Sequence, residues 1–164
     1  MSAPKVCGPF EDGNPFSVAA HRHANPDGTT GGWVAQTALV SGNAQVSGDA
    51  WVYGNARVYG NAWVYGNARV YGNARVYGNA RVYGNALVSA PRHLLTLGPV
   101  GSEDQTVTLA RTESGHLLTI GCWRNGTVDQ LAAEVARRCP DRADEYAEIE
   151  AVLRRRVAEW EAER

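Results

Sequence analysis

Four arginines and four tyrosines, Arg57, Arg69, Arg75 and Arg81 interleaved with Tyr59, Tyr71, Tyr77 and Tyr83, recur at fixed spacing through the middle of the chain. A guanidinium presents paired planar N–H donors that match phosphate oxygens, and a tyrosine ring presents a face on which a base can stack. Lining a groove, the eight residues would hold a nucleotide-like small molecule. The competing expectation is plainer: Arg stacked on Tyr solubilises the surface and blocks edgewise association. A second aromatic set, Trp33, Trp51, Trp63, Tyr53 and Tyr65, occupies the same stretch. Trp and Tyr are enriched at the buried centres of interfaces, so these five are candidates for an oligomer contact.

Both sets are carried by one repeat. Ten valines from Val34 to Val88 recur every six residues, and the unit V-Y-G-N-A-[RW] fills the intervals with few changes. A period of six is too short for a helical repeat and suits a β-helix, in which each unit is a short strand followed by a corner. The valine points inward and its neighbours outward, Gly-Asn tolerates the tight bend, and the alanine is small enough to tuck inside it.

These features, from Trp33 to about Ala90, resemble the left-handed parallel β-helix of hexapeptide-repeat proteins. The resemblance implies three hexapeptides per coil and about three coils, with residues eighteen apart stacked on one another. Outward columns of Trp33, Trp51, Arg69 and Leu87, of Leu39, Arg57 and Arg75, and of Gln45, Trp63 and Arg81 follow. Tyr53 then stacks on Tyr71, Tyr59 on Tyr77 and Tyr65 on Tyr83. A stack only roughly 15 Å tall leaves strand edges and apolar interior open at both ends, so caps are expected. The resemblance further implies a homotrimer of solenoids packed side by side.

The fold class expected is therefore mainly β, with three parts: an N-terminal arm or cap over 1–32, the β-helix over 33–90, and a small α+β domain over 91–164. Residues 1–32 hold four of the seven prolines and no periodicity, which predicts an irregular cap with Phe10, Phe16 and Val18 plugging the first coil. His93–Leu97, Thr106–Arg111 and His116–Cys122 read as three strands, the last two joined by a turn at Glu113-Ser114-Gly115. Thr127-x-x-Gln130 is a capping box opening one helix that ends before Pro140. Asp141 is expected to cap a second helix over about 142–162. Its stripe of Tyr146, Ile149, Leu153 and Trp160 fits packing on the small sheet, with a trimeric coiled coil the lesser use.

The arrangement of Gly31-Gly-Trp-Val34, GNA repeats and L-x-x-G-C-W-x-x-G-T-V-D from Leu118 is similar to hexapeptide-repeat proteins of bacteriophages and prophages. That implies a viral setting, in the bacterial cytoplasm or in a virion. Many hexapeptide proteins are acyl-CoA-dependent acyltransferases with a catalytic His between solenoids. Here no His lies between Trp33 and Ala90 and no loop interrupts the repeats, so acyl transfer is a distant alternative. The zinc-binding γ-class carbonic anhydrases use three His that the coils also lack. No metal, no cofactor and no enzymatic activity are expected. Cys7, Cys122 and Cys139 fit no ligand pattern and read as reduced structural thiols.

A net charge of -1 gives no global attraction for bulk nucleic acid, and no apolar run suits a membrane span or a signal peptide. Ser102, Glu103, Asp104 and Arg111 are candidates for a small polar site. The functional expectation is a non-catalytic homotrimeric structural or interaction module, with a partner protein contacted through residues 91–164. The alternative is a binder of a nucleotide-like signal in the Arg/Tyr-lined grooves between solenoids.

Overall fold

The computed structural model describes residues 18–164; Cys7, Phe10 and Phe16 lie outside the described residues. Strand β1 (Ala20–Ala24) and strand β2 (Thr30–Ala35) precede nine two-residue strands. These are β3 (Leu39–Val40), β4 (Gln45–Val46), β5 (Trp51–Val52), β6 (Arg57–Val58), β7 (Trp63–Val64), β8 (Arg69–Val70), β9 (Arg75–Val76), β10 (Arg81–Val82) and β11 (Leu87–Val88). They form three parallel sheets, β2-β5-β8-β11, β3-β6-β9 and β4-β7-β10. The outward columns match those given by the repeat: Trp33 pairs with Trp51, Trp51 with Arg69, Arg57 with Arg75, and Trp63 with Arg81.

The cause is local. Val46 to Val88 and Ala44 to Ala86, one of each per repeat, are buried and fill the prism. Each turn then donates to the next, as from Trp51 N to Ala68 O at 2.9 Å and from Arg69 N to Ala86 O at 2.8 Å. The corners need glycine for two separate reasons, seen together at Gly72. Its φ is +61°, and a Cβ there would lie 2.5 Å from the Ser89 carbonyl oxygen of the next turn.

Among the described residues, the N-terminal end is closed by backbone and one amide. Val18 is exposed. Instead of an irregular arm throughout, β1 pairs antiparallel with β2 and the chain then crosses the open end. There the buried Asn25 accepts from Val46 N at 3.0 Å and donates to Ser47 Oγ and Thr29 Oγ1, each at 3.1 Å. Gly31 and Gly32 press on the Val46 and Ala50 carbonyl oxygens so closely that a side chain at either would collide.

The opposite end is closed by an antiparallel sheet of four strands, β12 (Leu94–Val100), β13 (Gln105–Arg111), β14 (His116–Ile120) and β15 (Trp123–Gly126), in that order. Only three were expected. Trp123-Arg-Asn-Gly126 has no alternating apolar pattern; it pairs because Gly121, at φ +56°, reverses the chain and sets Trp123 opposite Ile120. Helix α1 (Val128–Arg138) opens on the Thr127–Gln130 capping box, and helix α2 is Ala143–Ala162. Asp141 does not cap α2; it sits in a short 3-10 turn, Pro140–Arg142, and Arg142 occupies the cap position without a side-chain bond.

Strand β13 serves two cores at once. Val107 and Leu109 join Leu118, Leu131, Tyr146, Leu153 and Trp160 beneath the helices, so the α2 stripe packs within the chain. Ala110, with Leu94, joins the core of the solenoid. Between them Thr108 Oγ1 accepts from Arg81 N at 3.1 Å, and Ala86 forms a bridge with Thr112. At these two points the edge of the last turn is paired rather than exposed. No helix among the described residues is long and apolar enough to cross a membrane.

Candidate functional site

The repeat distributes the Arg/Tyr set over three faces, so the eight residues do not meet in one place on a single chain. Arg57 and Arg75 lie side by side on the β6-β9 face, and the Tyr59 and Tyr77 rings stack at 5.5 Å on the following corner. Both arginines are exposed, and no carboxylate among the described residues pairs with either. Arg69 belongs to the first face, where its guanidinium lies 4.5 Å over the Trp51 ring and Tyr53 stacks on Tyr71 at 4.9 Å. Arg81 lies over Trp63 at 5.4 Å and donates to the Gly121 carbonyl at 3.3 Å.

Cation–π contacts in the repeat therefore run from Arg to Trp, not from Arg to Tyr. The arginine and tryptophan occupy the same outward column one turn apart, at strand spacing, whereas the tyrosines form their own column at the corner. Tyr83 departs from its column. The β14–β15 hairpin covers it, Arg124 sits 5.1 Å over its ring, its contact with Tyr65 is tilted at 60°, and its hydroxyl is buried with no hydrogen-bond partner. Trp33, Trp51 and Trp63 are each half-buried by their own chain, and Trp33 lies under Arg22 at 4.7 Å.

At the solenoid's C-terminal end a buried histidine joins three elements. His93 Nδ1 is 3.0 Å from Ser89 Oγ, and Nε2 is 2.9 Å from Arg111 Nη1 and 3.6 Å from Glu163 Oε2. A guanidinium only donates, so Nε2 accepts; the proton is on Nδ1, which donates to Ser89. The ring is oriented to tie the last coil to β13 and the end of α2, not to take a proton from Ser89. Arg111 is committed to this junction and lies apart from Ser102, Glu103 and Asp104, so those four residues do not form one polar site.

The repeat pattern gave no sign of a cavity of about 350 Å3 in the C-terminal domain, between the sheet and α1. Ile120, Leu131, Val135 and Trp123 give it apolar walls, with Glu103, Glu134, Arg138 and Arg142 around the rim. Arg138 pairs with Glu134 and donates to Cys122 Sγ at 3.1 Å; Arg137, foremost, holds the Glu134 carboxyl below the usual range. Cys122 and Cys139 are both free thiols beside this cavity: Cys122 is exposed, and Cys139 is half-buried and packs against the domain's core. The only sequence signals were the Gly121-Cys-Trp123 and Gly101-Ser102 turns, which carry no periodicity. No group of three or more His, Cys, Asp or Glu side chains among the described residues is placed to hold a metal.

Comparison with known proteins agrees with the solenoid geometry. The family model described as YdcK Beta solenoid repeat matches residues 50–66, 62–78, 68–82, 74–90 and 80–93, which takes in the coils after the first one and ends just before β12. No curated protein and no solved structure matches the chain. These matched repeats overlap most of the residues that wind into a parallel β-helix of about three turns, so this stretch of the chain is a β-solenoid of repeats.

Proposed function

We propose that this chain is a non-catalytic interaction module, a left-handed hexapeptide-repeat β-helix that assembles side by side into a homotrimer in a phage or prophage setting. The carrying observation is where the surface remains unfinished. Asn25 and β1 close one end and β13 closes the other, which disfavours end-to-end growth. The flanks keep large apolar groups in water: Leu39 is 52% exposed, Tyr77 51%, Tyr65 49% and Tyr59 36%. Leu39, Tyr59 and Tyr77 belong to or border the β3-β6-β9 face, whose strands pair with neither β1 nor the C-terminal sheet, although Leu97 and Pro99 of β12 come alongside Tyr77. Lateral packing on this face would bury those rings as the anchors of an interface.

Sedimentation velocity tests the assembly. The expected species has three times the 17.7 kDa chain mass, and Tyr59→Ser with Tyr77→Ser shifts it to the monomer while Trp63→Ala shifts it less. A folded monomer of the unaltered chain at micromolar concentration rejects the proposal.

A second reading rests on Arg57 and Arg75. Like charges directly opposite on neighbouring strands repel, and an anion bridging them, with a base on the Tyr59–Tyr77 stack, would offset that cost. Nucleotides should then raise the melting temperature, and the rise should vanish in Arg75→Ala. A panel of nucleotides that leaves the unaltered protein's melting temperature unchanged rejects it.

A further inference from the structure

We propose that the cavity between the C-terminal sheet and α1 is a binding site for a small zwitterion with a flat apolar body, of the size and chemistry of an aromatic amino acid. Its volume of about 350 Å3 falls in the range of small-molecule sites, roughly 300–1,000 Å3. The inner walls are side chains that the domain's own core holds still, Ile120, Leu131 and Val135. Trp123 supplies a flat side, and its ring lies so close to Gly126 that a side chain there would collide with it. An aromatic body stacks on such a wall and displaces weakly held water.

The rim decides the rest of the ligand. Arg138 and Arg142 carry two positive charges and Glu103 and Glu134 two negative ones around the mouth, with Arg138 paired to Glu134 and Arg142 to Glu145 at 3.2 Å, so a ligand there would share or exchange these partners. A simple anion meets the two carboxylates and a simple cation meets the two guanidiniums. A purely apolar body uses none of these charges. A molecule with an ammonium and a carboxylate on adjacent atoms matches both signs at once. The mouth is preformed: Gly101 N donates to Glu145 Oε1 at 3.0 Å, and Gly101, at φ +70°, lies so near the Tyr146 hydroxyl that a Cβ would come within 2.8 Å of it. None of these residues belongs to the solenoid flanks, so the site stands independently of trimer assembly.

The test uses calorimetric titration of the full chain with L-tryptophan and L-phenylalanine, with indole, benzoate and glycine as partial mimics. Iodoacetamide labelling of Cys122 by mass spectrometry locates the ligand, since that thiol is exposed at the rim. The expected result is saturable binding of one or both aromatic amino acids, with each mimic at least about ten-fold weaker, and slowed labelling of Cys122. Arg138→Gln, which removes a charge-assisted contact, is expected to weaken binding about ten-fold or more. Cys122→Trp fills the mouth from an exposed position and abolishes binding, with melting temperature and sedimentation unchanged. No saturable binding of either amino acid, binding of benzoate or indole as tight as theirs, or affinity unaltered in both variants overturns the proposal.

Discussion

The unpaired hydroxyl of Tyr83 and the acceptor nitrogens of two histidines are the single groups with the clearest energetic consequences. A buried hydroxyl without a partner costs the loss of its hydration, so Tyr83→Phe removes a penalty and keeps the ring contacts with Arg124 and Tyr65. Thermal unfolding should show stability unchanged or raised by up to about 1–3 kcal/mol; a marked loss would mean that the hydroxyl is satisfied after all. His93 Nε2 accepts from Arg111, and His116 Nε2 accepts from Val128 N at the start of α1, at 3.0 Å. Burial, foremost, pushes both imidazole pKa values down, and for His93 the Arg111 charge pushes further while Glu163 opposes it. The unfolded chain therefore takes up protons first as pH falls. Stability is complete above about pH 6.5 and is lost as pH drops below it through the folded-state values. The melting temperature should begin to decline as pH falls below about 6.5, before the ordinary carboxylate range is reached. His116→Gln, which keeps an acceptor but does not titrate, should flatten that decline; an unchanged slope would remove His116 from the account.

At the level of elements, the repeat's glycines separate two effects that usually travel together. Gly72 and Gly78 share the same backbone region, at φ +61° and +63°, but a Cβ on Gly72 meets the Ser89 carbonyl while one on Gly78 meets nothing within 4 Å. Gly78→Ala should cost about 1–2 kcal/mol, the left-handed penalty alone. Gly72→Ala should cost clearly more, because the stacked turn must also shift, and urea unfolding of the two variants measures the difference. Equal losses would show that the turns yield freely. The solenoid's registers were legible from sequence because each unit repeats the same small set of constraints, and an eighteen-residue coil follows from Trp51 facing Arg69 as directly as from Val52 facing Val70. The ends were not legible, because they are closed by single events. Asn25 is one polar residue in a Pro- and Gly-rich stretch, and β15 pairs through a glycine reversal rather than an apolar alternation. The spacing puts Trp51 beside Arg69 and Trp63 beside Arg81 in the outward columns, but it does not say whether a long guanidinium lies over the tryptophan or over the neighbouring tyrosine.

For the molecule as a whole, a short solenoid is held by what finishes it, and β13 does so by giving alternate residues to two cores. Ala110 faces the valine stack, Leu109 faces α2, and Thr108 meets the N–H of Arg81 at the last edge. A sheet shared in this way should make the coils and the C-terminal domain unfold together rather than one after the other. Thr108→Val tests that directly: it preserves the shape of a buried side chain but leaves the Arg81 N–H without its acceptor, at a cost of about 1–3 kcal/mol. For a chain of this size the melting temperature should fall by about 2–4 °C for each kcal/mol. Hydrogen exchange read by mass spectrometry should show protection falling alike in peptides spanning the 63–82 coils and in those spanning 128–138 of α1. If the coils lose protection while α1 keeps its own, the C-terminal sheet covers the solenoid without stabilising it, and the closed end would no longer explain why this repeat holds together at about three turns.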